Sequence, residues 1–328
     1  MIHARNFASG NVAGARLVAL SDPDEVGLQA ACAETGVSAS YADWRQLLTL
    51  ASVQAVVVAT PTAFHHEIVV AAAETGKHIL CEKPMAMTAD ECDAMIAAAD
   101  SAKVKLQIGF MRRFDQSFLA AKQRIDAGEI GAVVQVKSLT HGPTTPKAWM
   151  YDLQKSNGPL AEVNSHDIDT LRWFTGSEFT EVYAIGGNFR SPQAVDDFPD
   201  FYDNVTLTAR FRSGMQGVIF GAQGVQYGYD ARTEILGEHG LITVGNLAAN
   251  KVVTHTAGGM TTPVVQSWMH LFAGAYREED GDFIGAIRED RAPRATGQDG
   301  KAAVEVVIAG NRSIAEHKPI DLTRSHES

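Results

Sequence analysis

The sequence predicts an α/β chain in two parts: a Rossmann-like, doubly wound parallel sheet, then an α+β domain with a large open mixed or antiparallel sheet. Three observations predict it. The chain has 328 residues, more than one ordinary core accommodates. In its first third, short apolar runs alternate with helical patterns, as parallel strands covered on both faces do. After Gly109 the runs lengthen and alternate apolar with polar residues, as strands with one wet face do. The expected boundaries are 1–109 for the first domain and 110–328 for the second.

The elements follow in order. Residues 15–20 read as a buried strand, and Asp24 opens a helix to Thr35. The run AVVVA at 55–59 is a second strand, followed by a helix over 63–75 with Gly76 at the C-cap. Residues 78–81 form a third strand. Thr88 caps the next helix, to about Ser101, with Glu91 in the capping-box position. Residues 105–109 are a fourth strand. A helix over 114–127 then leads to strands at 179–188, 204–209, 215–223 and 231–236. Helices over 271–287 and 298–315 close the chain, and the tail after Leu322 is expected to fray.

A strand and a G-x-G-x-x-G turn ordinarily precede the first helix of such a fold. Here the first helix is expected to start at residue 1, so that strand and glycine loop are missing from the reading. They need roughly 10 to 14 further residues. A start assigned too late and a real truncation are the two explanations.

Composition excludes some partners. The formal net charge of -11 repels nucleic acid and anionic membranes, so neither is expected. Cys32, Cys81 and Cys92 lack metal-type spacing, which suits reduced thiols in a cytoplasmic protein. No apolar run approaches a membrane span, and the N-terminus lacks the apolar stretch of a signal peptide.

Candidate functional residues cluster where strands end. Asp22 follows a strand end, where an acidic residue bonds ribose hydroxyls and repels a 2′-phosphate, giving NAD over NADP; a helix-capping turn is its alternative reading. Thr60, Pro61 and His65 follow the second strand, at the edge where doubly wound sheets bind ligands. Glu82 and Lys83 follow the third. A lysine there can reach a nicotinamide and stabilise a developing alkoxide. Further on, Glu162, His166 and Asp169 share one face if the segment is a single helix. A histidine beside a carboxylate suits proton transfer near neutrality. The same spacing also suits a metal, or a polar helix N-terminus.

Several of these segments resemble one family. Cys81-Glu82-Lys83-Pro84, the run GFMRRFD at 109–115, and HDIDTLRW at 166–173 are similar to the glucose–fructose oxidoreductase and inositol dehydrogenase superfamily, Gfo/Idh/MocA. With YGYD at 227–230, GEHG at 237–240 and FAGAY at 272–276, the likeness is nearest its inositol 2-dehydrogenase branch. The resemblance implies an NAD-dependent enzyme that oxidises a secondary alcohol of a cyclic polyol or sugar. It implies catalytic roles for Lys83 and His166, with Glu162 in the place of an aspartate. It implies Asp22 at the cofactor ribose, and Arg112 and Tyr227 in segments that approach the substrate. It also implies a homo-oligomer, often a tetramer, packed through the large sheet. Two departures bear on substrate: Glu162 is one methylene longer than the family's aspartate, and Thr140-His141-Gly142-Pro143 lacks an asparagine beside the proline.

The resulting expectation is a dehydrogenase whose site lies between the two domains, with NAD as cofactor and no metal. Two alternatives stand beside it. One is a polyol-binding protein without catalysis, disabled by truncation. The other is a metal-dependent isomerase or lyase using Glu162, His166 and Asp169.

Overall fold

The computed structural model describes residues 1–323; most of the tail expected to fray lies outside them. The chain forms two compact units. Unit 1 is Met1–Phe114 with Ala273–Lys301, and unit 2 is Asp115–Phe272 with the chain from Ala302 onward.

Unit 1 opens with α1 (Ile2–Ala8), then β1 (Leu20–Ser21), α2 (Glu25–Thr35), β2 (Ser40–Tyr41) and α3 (Trp44–Leu48). It continues with β3 (Ala55–Val58), α4 (His65–Glu74), β4 (His78–Cys81), α5 (Ala89–Ala102) and β5 (Leu106–Ile108). Local chemistry sets the helix ends as the sequence predicts. The Asp24 side chain accepts from Val26 N–H to start α2, and Thr88 with Glu91 forms a reciprocal capping box on α5. All strand pairs are parallel: β1 with β2, and β3-β4-β5 in that order.

The strand predicted over 15–20 is corrected by the structure. Only Leu20 and Ser21 are in a ladder, paired with Ser40 and Tyr41. Residues 15–19 pair with no strand among the described residues, and a strand needs a neighbour to satisfy its backbone groups. Ala15 and Leu17 instead pack on the cluster formed by Phe7, Val12, Leu80, Phe283 and Ile284.

Unit 2 begins with α6 (Gln116–Asp126), capped by Asp115, and β6 (Val133–Gly142). Three helices follow: α7 (Leu153–Ser156), α8 (Gly158–Glu162) and α9 (Ser165–Thr175). Then come β7 (Phe179–Gly187), β8 (Asn204–Phe211), β9 (Gln216–Gln223), β10 (Asp230–Gly237) and β11 (Leu241–Val244). A hairpin of β12 (Thr254–Thr256) and β13 (Gly259–Thr261) precedes α10 (Trp268–Leu271). The chain then enters α11 (Ala273–Arg288), α12 (Gly297–Glu316) and β14 (Ile320–Asp321). Seven strands form one mixed sheet in the order β11-β10-β6-β9-β8-β7-β14. Among the described residues, only the β6–β9 pair within it is parallel.

The domain boundary expected at 109/110 omitted a return of the chain. α11 supplies Phe283 and Ile284 to the core of unit 1. The segment after it covers the edge of β5, where Ile108 N–H donates to Ala295 O at 3.0 Å. Arg113, itself in the turn after β5, pairs with Asp299 at 3.0 Å and donates to Arg294 O at 2.8 Å. Such edge coverage removes an open template for strand pairing.

Candidate active site

In unit 1 the predicted cofactor residues sit at the carboxyl ends of the parallel strands. Asp22 directly follows β1 and is exposed. Its Oδ1 accepts from the Asp24 N–H at 2.9 Å, so it shapes the turn into α2. A carboxylate has further acceptor capacity for a diol; the turn role and the ribose role are compatible. Thr60 and Pro61 are exposed beyond β3.

His65 is placed differently from the expectation. It is 1% exposed, and both ring nitrogens face backbone carbonyls: Nδ1 lies 2.8 Å from Pro84 O and Nε2 2.9 Å from Thr60 O. The ring therefore joins the loops after β3 and β4 and offers no nitrogen to a cofactor. Burial lowers its pKa, against the pull of the two carbonyls.

Lys83 follows β4 and is half-buried, with a cis peptide to Pro84. Its N–H donates to Glu82 Oε2 at 3.1 Å. Glu82 in turn faces His3 Nε2 at 3.1 Å, and His3 Nδ1 lies 2.6 Å from Asp280 Oδ1. Burial opposes charge on His3, but hydrogen bonds to Asp280 and Glu82 carry its pKa up to about 10. Asn6 Nδ2 donates to the other Asp280 oxygen at 2.7 Å. None of His3, Asn6 or Asp280 was foreseen from the sequence. Arg112 lies in the turn at Met111–Phe114 and is 1% exposed. That leaves no guanidinium surface for a substrate without rearrangement.

In unit 2 the segment read as one helix is two. Glu162 ends α8, and α9 begins at Ser165 after a break at Val163 and Asn164. Glu162 and His166, expected on one continuous helix, therefore stand on either side of a helix break. The break turns the Asn164 side chain to donate to Asp167 Oδ2 at 2.8 Å. Asp167 also accepts from Ser138 Oγ at 2.5 Å and Thr140 Oγ1 at 2.8 Å, both on β6. With the carboxylate fully buried, these three bonds fix the first turn of α9 on the sheet. His166 is 6% exposed in that turn. Among the described residues, Glu162, His166 and Asp169 do not gather their ligand atoms into a metal-competent group, so the metal alternative at that site finds no support in the geometry.

Tyr227 is exposed beyond β9 and its hydroxyl is already engaged. It donates to Asp230 Oδ2 at 3.1 Å and lies 2.6 Å from His141 Nδ1. With Asp230 as acceptor, the compatible histidine tautomer carries its proton on Nδ1, leaving Nε2 as an acceptor. Arg232 grips Asp230 through two bonds, at 2.8 and 2.9 Å. Burial and the neighbouring Asp230 push the Tyr227 pKa up to about 12, and burial lowers that of His141. Both are neutral near pH 7.

Comparison with known proteins gives a consistent result. Residues 2–110 match the family model described as "Oxidoreductase family, NAD-binding Rossmann fold", and residues 118–243 match the GFO/IDH/MocA C-terminal domain. A scyllo-inositol 2-dehydrogenase (NAD(+)) of Bacillus subtilis is 32% identical over 98% of this chain and 92% of its own length. An inositol 2-dehydrogenase of Rhizobium meliloti is 33% identical over 98% and 95%. The crystal structure of scyllo-inositol dehydrogenase from Lactobacillus casei, with bound NAD(H) and scyllo-inositol, superposes with a TM-score of 0.89 at 28% identity, covering 98% of this chain and 95% of that one.

Proposed function

Because the chain belongs to the Gfo/Idh/MocA oxidoreductase family, we propose that it is an NAD-dependent dehydrogenase of a cyclic polyol, with inositols the first candidates. The observation that carries this reading is the likeness to inositol dehydrogenases along nearly the whole chain.

When bound, NAD accepts the hydride from the carbon that bears the hydroxyl. The exposed carboxylate of Asp22 fits the adenosine ribose diol and disfavours a 2′-phosphate. Thr60, Pro61 and Glu82 line the strand ends beside it. Lys83 steadies negative charge on the reacting oxygen, an interaction strongest in the transition state. His166 takes the hydroxyl proton, and Glu162, four residues earlier, passes it on. Asp167 acts through His166 by holding the turn that carries it. Tyr227 and the free Nε2 of His141 bind neighbouring hydroxyls. Arg112 enters this reading as a part of the turn after β5.

The same reading includes a homo-oligomer, with a tetramer first. Leu139, Phe220, Thr206 and Ile185 are cross-strand neighbours in a row over β6, β9, β8 and β7. Phe220 is 38% and Ile185 60% exposed, large apolar side chains on one sheet face of the kind that mark an association surface. Cys32, Cys81 and Cys92, none of them in a disulfide, favour the cytoplasm.

The test is initial-rate measurement of NAD and NADP reduction across a panel of inositols and aldoses. The reading expects NAD reduction with at least one inositol, faster than with any aldose. Absence of turnover with every inositol overturns it.

A further inference from the structure

The dehydrogenase reading leaves one buried acid unused. Glu279, in the second turn of α11, is fully buried, and neither of its carboxylate oxygens has a hydrogen-bond partner. Polar groups left in this state are costly, and they point to something that completes them. One ligand atom each from Glu279, Glu82 and His3 lie within 4.8 Å of one another. We propose that His3, Glu82 and Glu279 form a site for one divalent transition-metal ion, zinc by preference, with a fourth position left to water.

The geometry suits the ion. His3 Nε2 and Glu82 Oε1 are 3.1 Å apart, close to the edge of about 3.3 Å of a tetrahedron with bonds of about 2.0 Å, and the ion would displace to solvent the proton that lies between them. His3 is oriented from behind, its Nδ1 bonded to Asp280 and Asp280 held by Asn6. A carboxylate behind the imidazole is the usual support of a metal-ligating histidine. Two carboxylates balance the charge of a divalent ion. An imidazole nitrogen among the ligands favours zinc over magnesium, which prefers oxygen in octahedral array. The Glu82 side chain is 16% exposed, which gives the ion a way in. The three ligands come from α1, the loop after β4, and α11, so the ion would cross-link three distant segments of unit 1. The proposal does not depend on the polyol chemistry.

The experiment uses the full, tag-free chain, stripped with chelator and titrated with zinc chloride by calorimetry, with melting curves in parallel. One ion per chain and a higher melting temperature with zinc are expected. Asp280→Asn should weaken binding about 10- to 100-fold. Glu279→Gln, which keeps the shape and removes the charge, should abolish stoichiometric binding while the metal-free protein still melts cooperatively. His3→Gln is the second variant and should behave likewise. Failure of the unmutated chain to bind one equivalent overturns the proposal, as does undiminished binding in Glu279→Gln.

Discussion

Lys83 sits two residues past the end of β4, and its charge is needed most as an alkoxide develops. Lys83→Met is expected to lower turnover by about 10² or more, with little change in NAD affinity. Steady-state kinetics and a direct NAD titration check this; near-normal turnover in a folded variant removes Lys83 from the chemistry. His65 carries a pH prediction. Its folded pKa is depressed below the ordinary 6.5, so the unfolded chain takes up the proton first as pH falls. The corresponding stability is complete above about pH 6.5 and is lost as pH drops toward the folded value. Melting temperatures between pH 8 and pH 5 should fall, and His65→Gln should flatten that slope; an identical slope in the variant assigns the acid sensitivity elsewhere. At this scale the sequence makes Lys83 and His166 candidates through position, at a strand end and a helix start. It does not reveal Asp167, whose importance rests on Ser138, Thr140 and Asn164. Those residues meet it only after folding, and alternating Ser and Thr on a strand carry no signal of which buried acid they face.

At the scale of elements, α9 rests on β9 at a point where only glycine fits. A Cβ on Gly221 would stand 2.0 Å from Asn164 Oδ1 and 2.8 Å from Val205 Cγ1. Gly221→Ala is therefore expected to destabilise the protein by about 1–3 kcal/mol, the ordinary range for overpacking. It should also lower turnover, because Asn164 belongs to the network that places His166. Thermal melting and kcat measured together decide it: a stable variant with normal turnover shows that β9 does not set α9. Helix ends such as Asp24, Thr88 and Gly76 were readable because capping is local chemistry. The break between α8 and α9 was not, since helical spacing continues through Val163 and Asn164 while the cause, the bonding of the buried Asp167 to β6, is tertiary. The shortened strand at 15–20 fails for a like reason: apolar character marks burial, but a ladder requires a partner.

For the whole molecule, the row at Leu139, Phe220 and Ile185 predicts assembly. Light scattering should give a mass several times the 35.2 kDa of one chain, and Phe220→Asp should reduce it; a monomeric unmutated protein sinks the idea. The broad division into a parallel and a mixed sheet follows from the change in periodicity after Gly109. The return of α11 to unit 1 does not, because an amphipathic helix does not advertise which core it completes. That return has a consequence for synthesis. A ribosome delivers the chain from its N-terminus, so Phe7, Val12 and Leu80 emerge long before Phe283 and Ile284, which share their cluster. Residues 115–272, the bulk of unit 2, are made in between. The early part of unit 1 thus cannot finish folding until α11 arrives, and its apolar surface must be kept from other chains until then.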